Sequence, residues 1–247
     1  MSKIKWCDKT WNPITGCTPI SEGCQNCYAK RMATRLKGRF GYPADDPFKV
    51  TFHSDKLTQA ISWRKPRKIF VCSMGDLFHE DLHPEYARRV VMYSRMLSRH
   101  TFVFLTKRPQ NIIKKLSPKG KQPIKFSDNS WLGVSAENQK RADERIPTLL
   151  QIPAAKRFVS LEPLLGYVNL DEYVWKITHI DKYRIDWVIV GCESGPRRRP
   201  AKIEWVEEIV KQCQMADVPV FVKQAEIDGK IVKMPKILGR VWDQFPE

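Results

Sequence analysis

One recurring pattern limits what this chain can fold into: a short apolar run that turns abruptly polar, with a stretch of helical spacing before the next run. The runs are Lys68-Ile-Phe-Val-Cys-Ser-Met-Gly-Asp76, Thr101–Thr106, Ser130–Ser135, Arg157–Glu162, Asp186–Glu193 and Val218–Lys223. They are apolar nearly throughout rather than alternating, as expected of strands buried on both faces of a parallel sheet. Between two of them Tyr86, Val90, Val91, Tyr93, Met96 and Leu97 repeat at helical spacing. Strand alternating with helix predicts an α/β protein with a parallel sheet. A short first strand within residues 1–16 brings the count to seven, one short of a closed eight-stranded barrel. The expected fold is therefore a partial or irregular (β/α) TIM-like barrel of about seven parallel strands. A length of 247 residues suits a single domain over 1–247, with a C-terminal extension from about 227 to 247. Ser54 is expected to cap a helix carrying Leu57, Ala60, Ile61 and Trp63.

In parallel α/β folds, ligands gather at the carboxyl ends of the strands. Here those ends deliver Cys17, then Ser73-Met-Gly75-Asp76, then Thr106-Lys107-Arg108. The later strands add Ser135, Glu137 and Asn138, then Ser160 and Glu162, then Glu193-Ser194-Gly195, and last Lys223-Gln224. Each alone has a bland reading, since strand ends are commonly polar; together they form a candidate polar ring. Lys107 and Arg108, with Arg197-Arg198-Arg199 beyond Glu193, place cations where they suit phosphate oxygens.

Cys17, Cys24 and Cys27 put three thiols within eleven residues, directly before a helix that starts at Tyr28 and carries Ala29, Met32, Ala33 and Leu36, with Gly38 as its stop. No further Cys or His follows at zinc-finger spacing. Structural zinc wants four ligands, whereas a [4Fe-4S] cluster on three thiolates keeps one iron open to a ligand. The count favours an open, catalytic cluster. Cys7 is either a fourth ligand or an ordinary buried thiol. The seven cysteines, odd in number and without disulfide-like spacing, point to a reducing cytoplasm.

The stretches WNPITGCTPISEGCQNCYA, SMGDLFHEDL, FLTKRP, WLGVSAENQ, FVSLEPLLG, VIVGCESGP and FVKQ resemble the radical S-adenosylmethionine (SAM) superfamily, and within it an uncharacterised branch found in phages and prokaryotes. The gap of six residues between Cys17 and Cys24 is longer than that family's commonest three, as in some divergent members. The resemblance implies a [4Fe-4S] cluster on Cys17, Cys24 and Cys27 that reductively cleaves SAM to a 5′-deoxyadenosyl radical, and an electron donor such as flavodoxin or ferredoxin. It implies SAM contacts from Tyr28, Ser73, Gly75, Asp76, Ser135, Glu137, Asn138 and Glu162, with Lys107, Arg108, Glu193, Lys223 and Gln224 left to substrate. Asp76 has a second reading as a helix cap before Leu77-Phe78. Cys72 and Cys192, near strand ends, are candidate hydrogen-donating thiols.

Lys and Arg outnumber Asp and Glu by 43 to 27, a formal charge of +16. Such a field attracts polyanions, so a nucleotide, DNA or RNA is the expected substrate. A duplex base would have to leave the stack to react. The competing readings are a nucleic-acid-binding protein stabilised by zinc, without catalysis, and a degenerate barrel that acts by interaction. His79 and His83 lie four apart with Glu80 beside the first, but Pro84 follows at once and does not suit the helix a zinc-protease motif needs. His53, His100 and His179 add no second metal spacing. No apolar run approaches the ~20 residues of a membrane helix. The Lys- and Pro-rich residues 117–129 and the aromatic, charged residues 167–185 are expected to interrupt the rhythm as loops.

Overall fold

A computed structural model describes residues 4–117, 125–175 and 184–247 of the protein. His179, most of the lysine-rich stretch and the middle of the 167–185 insertion lie outside the described residues. The chain is a mixed α/β protein with a large, mostly parallel sheet of eight strands. It divides into two compact units, Met1–Leu132 with Pro153–Ala155, and Gly133–Ile152 with Lys156–Glu247.

The first unit opens with β1 (Lys9–Trp11), which pairs in parallel with β4, and with β2 (Ile14–Thr15), which pairs antiparallel with β3. Helix α1 (Tyr28–Arg35) starts directly after Cys27 and buries Ala29 and Ala33. It ends at Arg35 with Leu36 as its C-cap, and Gly38 takes φ +69° two residues beyond the cap. After β3 (Thr51–Phe52), helix α2 (Ser54–Leu57) is a single turn followed by a 3₁₀ turn over Gln59–Ser62. The continuous helix expected from Ser54 is thus two short pieces, and His53 rather than Ser54 takes the N-cap position. Strand β4 (Lys68–Val71) pairs in parallel with β5 (Thr101–Thr106), with α3 (Pro84–Met96) between them in sequence. Pro84 is the first helical residue of α3, where its missing N–H costs nothing, and His83 Nδ1 accepts from Glu85 N–H as the cap. Helix α4 (Gln110–Leu116) and β6 (Ser130–Ser135) follow, the latter running across the boundary.

In the second unit α5 (Gln139–Leu150) is capped by the Asn138 side chain. Strands β7 (Lys156–Leu161), β8 (Trp187–Gly191) and β9 (Val220–Ile227) pair in parallel, with α6 (Asp171–Val174) between the first two and α7 (Ile203–Met215) between the last two. Every residue of β8 is buried, as its unbroken apolar run requires. The C-terminal extension supplies the eighth strand, β10 (Lys230–Lys233), antiparallel to β9, and a small hairpin of β11 (Lys236–Ile237) and β12 (Arg240–Val241). Its last turn packs back: Val222 N–H bonds to Trp242 O, and Trp187 Nε1 donates to Gln244 O. The tail thereby occupies backbone groups that an edge strand would leave open.

Trp11 and Trp187 are fully buried in the core. Trp131 is partly exposed, with the Lys68 ammonium 5.2 Å from its ring centroid. Cys7 is buried, the ordinary thiol of the two readings.

His53, His79 and His100 are buried, and burial first of all holds each below the usual histidine range. A depressed folded value means stability present above the unfolded value of about 6.5 and lost as pH falls through the folded one. Chemical denaturation from pH 8 to 5 is expected to show a falling unfolding free energy below about pH 6.5, by at most ~1.4 kcal/mol per pH unit for each histidine. His53→Gln, which can keep the bond to Thr15, should flatten that limb.

Candidate metal centre

The loop Cys17–Cys27 is anchored where it begins. Gly16 has φ +85°, and a side chain there would stand 2.1 Å from Lys49 O, so only glycine fits. Gly16 N–H bonds to Met74 O, and Cys17 N–H to Phe48 O. The close approach that Gly75 permits is to this same segment: a Cβ on Gly75 would lie 2.8 Å from Gly16 O. The Ser73–Asp76 turn is held from its other side by Asn12 Oδ1, which accepts from Ser73 Oγ and Met74 N–H at 3.1 Å each. Tyr28 is 48 % exposed, and its phenol donates to Ser73 O, tying the start of α1 to that turn.

Cys17, Cys24 and Cys27 are all free and partly exposed, whereas Cys7, Cys72, Cys192 and Cys213 are free and buried. Burial, then the Asp76 carboxylate, pushes the Cys17 thiol up to about 12. For Cys24 burial acts in the same direction, but hydrogen bonding from the Ile20 backbone and the nearby Lys107 charge outweigh it, and the thiol lies below the usual range. No three His, Cys, Asp or Glu side chains are gathered into a ready metal site among the described residues. The donor set nevertheless suits a thiolate-bound centre in kind: three free thiols on one short loop, with an N–H donor aimed at Cys17 Sγ.

That donor is Arg108, whose side chain is only 1 % exposed. Its Nη1 reaches Cys17 Sγ at 3.4 Å and Asp76 Oδ2 at 3.3 Å, its Nη2 reaches Thr18 O at 3.0 Å and Thr18 Oγ1 at 3.1 Å, and its Nε reaches Glu80 Oε2 at 2.7 Å. Asp76 also accepts from Thr106 Oγ1 at 2.7 Å, Lys107 N–H at 3.3 Å and Phe78 N–H at 2.9 Å. The last bond caps a turn, not the helix expected after Asp76, since the next helix begins only at Pro84. His79 Nδ1 accepts from Asp81 N–H at 3.1 Å, and its Nε2 lies 2.8 Å from Thr18 Oγ1 and 3.2 Å from Thr18 N. Arg108 is thus buried in the protein's own network rather than offered to a phosphate; Lys107 is the partly exposed cation of the pair. Sequence reasoning missed Thr18, Glu80 and His79 as members of this cluster. The pairing spans up to 91 residues, so no local pattern marks it.

Three of the residues assigned to SAM already have partners within the protein. Asp76 is fully engaged. Glu137 is wholly buried against Arg145 Nη1 at 3.0 Å, and that guanidinium also donates to Ser135 O at 2.7 Å. Asn138 caps α5 through Arg141 N–H.

In the second unit the strand ends hold a separate group of ion pairs. Glu162 Oε1 accepts from Lys223 Nζ at 2.6 Å, and Ser160 Oγ donates to Glu162 Oε2 at 3.2 Å. Glu193 accepts from Arg199 Nη2 at 2.6 Å and from Arg199 N–H at 2.7 Å, so one of the three consecutive arginines turns inward. Gln224 Nε2 donates to Cys192 O, and Lys223 and Gln224 lie within β9, not beyond its end. Burial drives the Cys192 thiol up to about 11 and the Cys72 thiol further, so both remain protonated at neutral pH.

A family model described as a protein of unknown function, DUF5131, matches residues 1–246. No curated protein and no solved structure matches the chain.

Gly16→Ala is expected to cost at least ~3 kcal/mol and to release the cysteine loop, since it combines a forbidden φ with a backbone clash; thermal unfolding and limited proteolysis near Cys17 would read both. Glu137→Ala should destabilise by about 3–5 kcal/mol by stranding the buried Arg145 charge, and Glu137→Ala with Arg145→Met should recover much of that loss in urea unfolding.

Proposed function

We propose that this chain, which belongs to the DUF5131 family, is a radical SAM enzyme whose [4Fe-4S] cluster is held by Cys17, Cys24 and Cys27. One observation carries the reading. Of seven free cysteines, the three that share one loop are the three left partly exposed, while the other four are buried. Structural cysteines bury as small apolar groups, and thiols kept near solvent on one short loop are placed for ligation.

When bound, such a cluster supplies the electron that cleaves SAM to an adenosyl radical; the chain supplies placement. Gly16 and the Ser73–Asp76 turn fix where the cysteine loop begins, and Arg108 and Lys107 bring positive charge to a loop that carries thiolate when loaded. No SAM contact is assigned, because Asp76, Glu137 and Asn138 already have partners.

The charge of +16 supports a nucleotide, DNA or RNA as substrate, with Lys107 as a phosphate contact near the loop. The rest of the reading follows as proposal: a partial (β/α) barrel built on the eight-stranded sheet, a flavodoxin- or ferredoxin-like electron donor and a cytoplasmic setting. No described helix is long and apolar enough to cross a membrane.

Anaerobic reconstitution tests it. About four iron atoms per chain, and 5′-deoxyadenosine formed from SAM and dithionite by the native chain but not by Cys24→Ala, are the expected results. About one zinc per chain and no adenosyl product would replace the enzyme with a zinc-stabilised binding protein.

A further inference from the structure

We infer that Arg108 is a positioning residue of the cysteine loop: its buried guanidinium holds Cys17 and Thr18 against Asp76 and Glu80 and presents an N–H to the Cys17 sulfur. This rests in part on the reading of Cys17 as a ligand, but the clamp itself stands on distances alone.

A guanidinium has five N–H donors on three nitrogens in a rigid fork. In Arg108 all three nitrogens are used, and each meets a different part of the fold. Nε takes Glu80, which follows β4 by several residues; Nη1 is shared between Asp76 and Cys17; Nη2 takes the carbonyl and hydroxyl of Thr18. Two of the five acceptors belong to Thr18 and one to Cys17, so most of its hydrogen bonding is spent on the start of the cysteine loop. The arrangement is reinforced from behind. Thr106 Oγ1 donates to the Asp76 carboxylate and accepts from Arg108 N–H at 2.9 Å, which fixes carboxylate and arginine relative to β5.

Burying such a charge is costly unless every donor is met, so Arg108 is expensive to keep as a generic structural residue. Its neighbour Lys107 already places a cation at the same strand end, partly exposed and free of that cost. What Arg108 adds is direction: a planar fork that sets Cys17 Sγ at 3.4 Å while holding Thr18 beside it. A lysine, with one nitrogen, can keep the charge but not span acceptors on both sides. An N–H donor to a ligating thiolate also orients the sulfur and tunes the centre it holds, as partners of metal ligands generally do.

Arg108→Gln, Arg108→Lys, Cys17→Ala and, as a control, Lys107→Gln test the inference by two independent readouts. In the metal-free protein, hydrogen exchange of the amides from Cys17 to Ile20 should quicken about tenfold in Arg108→Gln, equivalent to ~1.4 kcal/mol, and less in Arg108→Lys. Exchange in α1 and β5 should stay as in the native chain, as should the whole Lys107→Gln profile. With Co(II) as probe, the thiolate-to-metal absorption of Arg108→Gln should fall by about a third, to the level of Cys17→Ala, with no further fall in the double variant. Native exchange and native absorption in Arg108→Gln would overturn the inference. Quickened exchange throughout α1, β4 and β5 would overturn it as well, by making Arg108 a support of the whole unit. A native chain that takes up no Co(II), with exchange still quickened locally in Arg108→Gln, would uphold the clamp and remove the metal reading instead.

Discussion

The first unit depends on a buried charge that cannot be left alone. Arg108 lies inside the protein, and a guanidinium without partners there would cost several kcal/mol. The fold answers by bringing Asp76 from the end of β4, Glu80 from the following segment and Thr18 from the cysteine loop to the same point. Such a network contributes little net stability compared with an apolar core of the same volume. Its effect is geometric: three chain segments distant in sequence are held in one arrangement, and the loop with the three partly exposed thiols is one of them.

The same constraint orders the second unit. Glu137 with Arg145 and Glu162 with Lys223 each join a strand end to a neighbouring element, and Glu193 with Arg199 closes the loop after β8 on itself. Polar strand ends, which in this fold class are where ligands bind, are here largely engaged with one another. Their solvent-facing chemistry is consequently narrower than the residue types alone suggest. Lys223 retains some exposure, whereas Glu137 and Gln224 are buried.

The strands were legible because burial on both faces writes itself into sequence as an unbroken apolar run, and β8, with all of its residues buried, is the clearest example. Helix α1 was legible from its spacing, and α3 from the spacing of Tyr86, Val90, Val91, Tyr93 and Met96. The piece after Ser54 was not. Its apolar residues keep helical spacing, but the chain changes to a 3₁₀ turn after one helical turn, a choice made by what the segment packs against. The β10 to β12 elements were also missed, being short, exposed and charged, without the apolar run that marks a buried strand.

The site divides in the same way. That Cys17, Cys24 and Cys27 share one loop ahead of a helix follows from sequence alone, because ligand-like spacing and helix spacing are both local. That Arg108 turns inward to Cys17 while Lys107 stays at the surface could not be read there, since adjacent cations at a strand end look equivalent until the tertiary fold buries one. Gly75 likewise permits a close approach, and only the packed chain shows that Gly16 O lies against it. Sequence determined which residues are near one another along the chain and which faces must be buried. Tertiary structure decided which polar groups remain free, because pairing between residues up to 91 positions apart is set by how the strands come together.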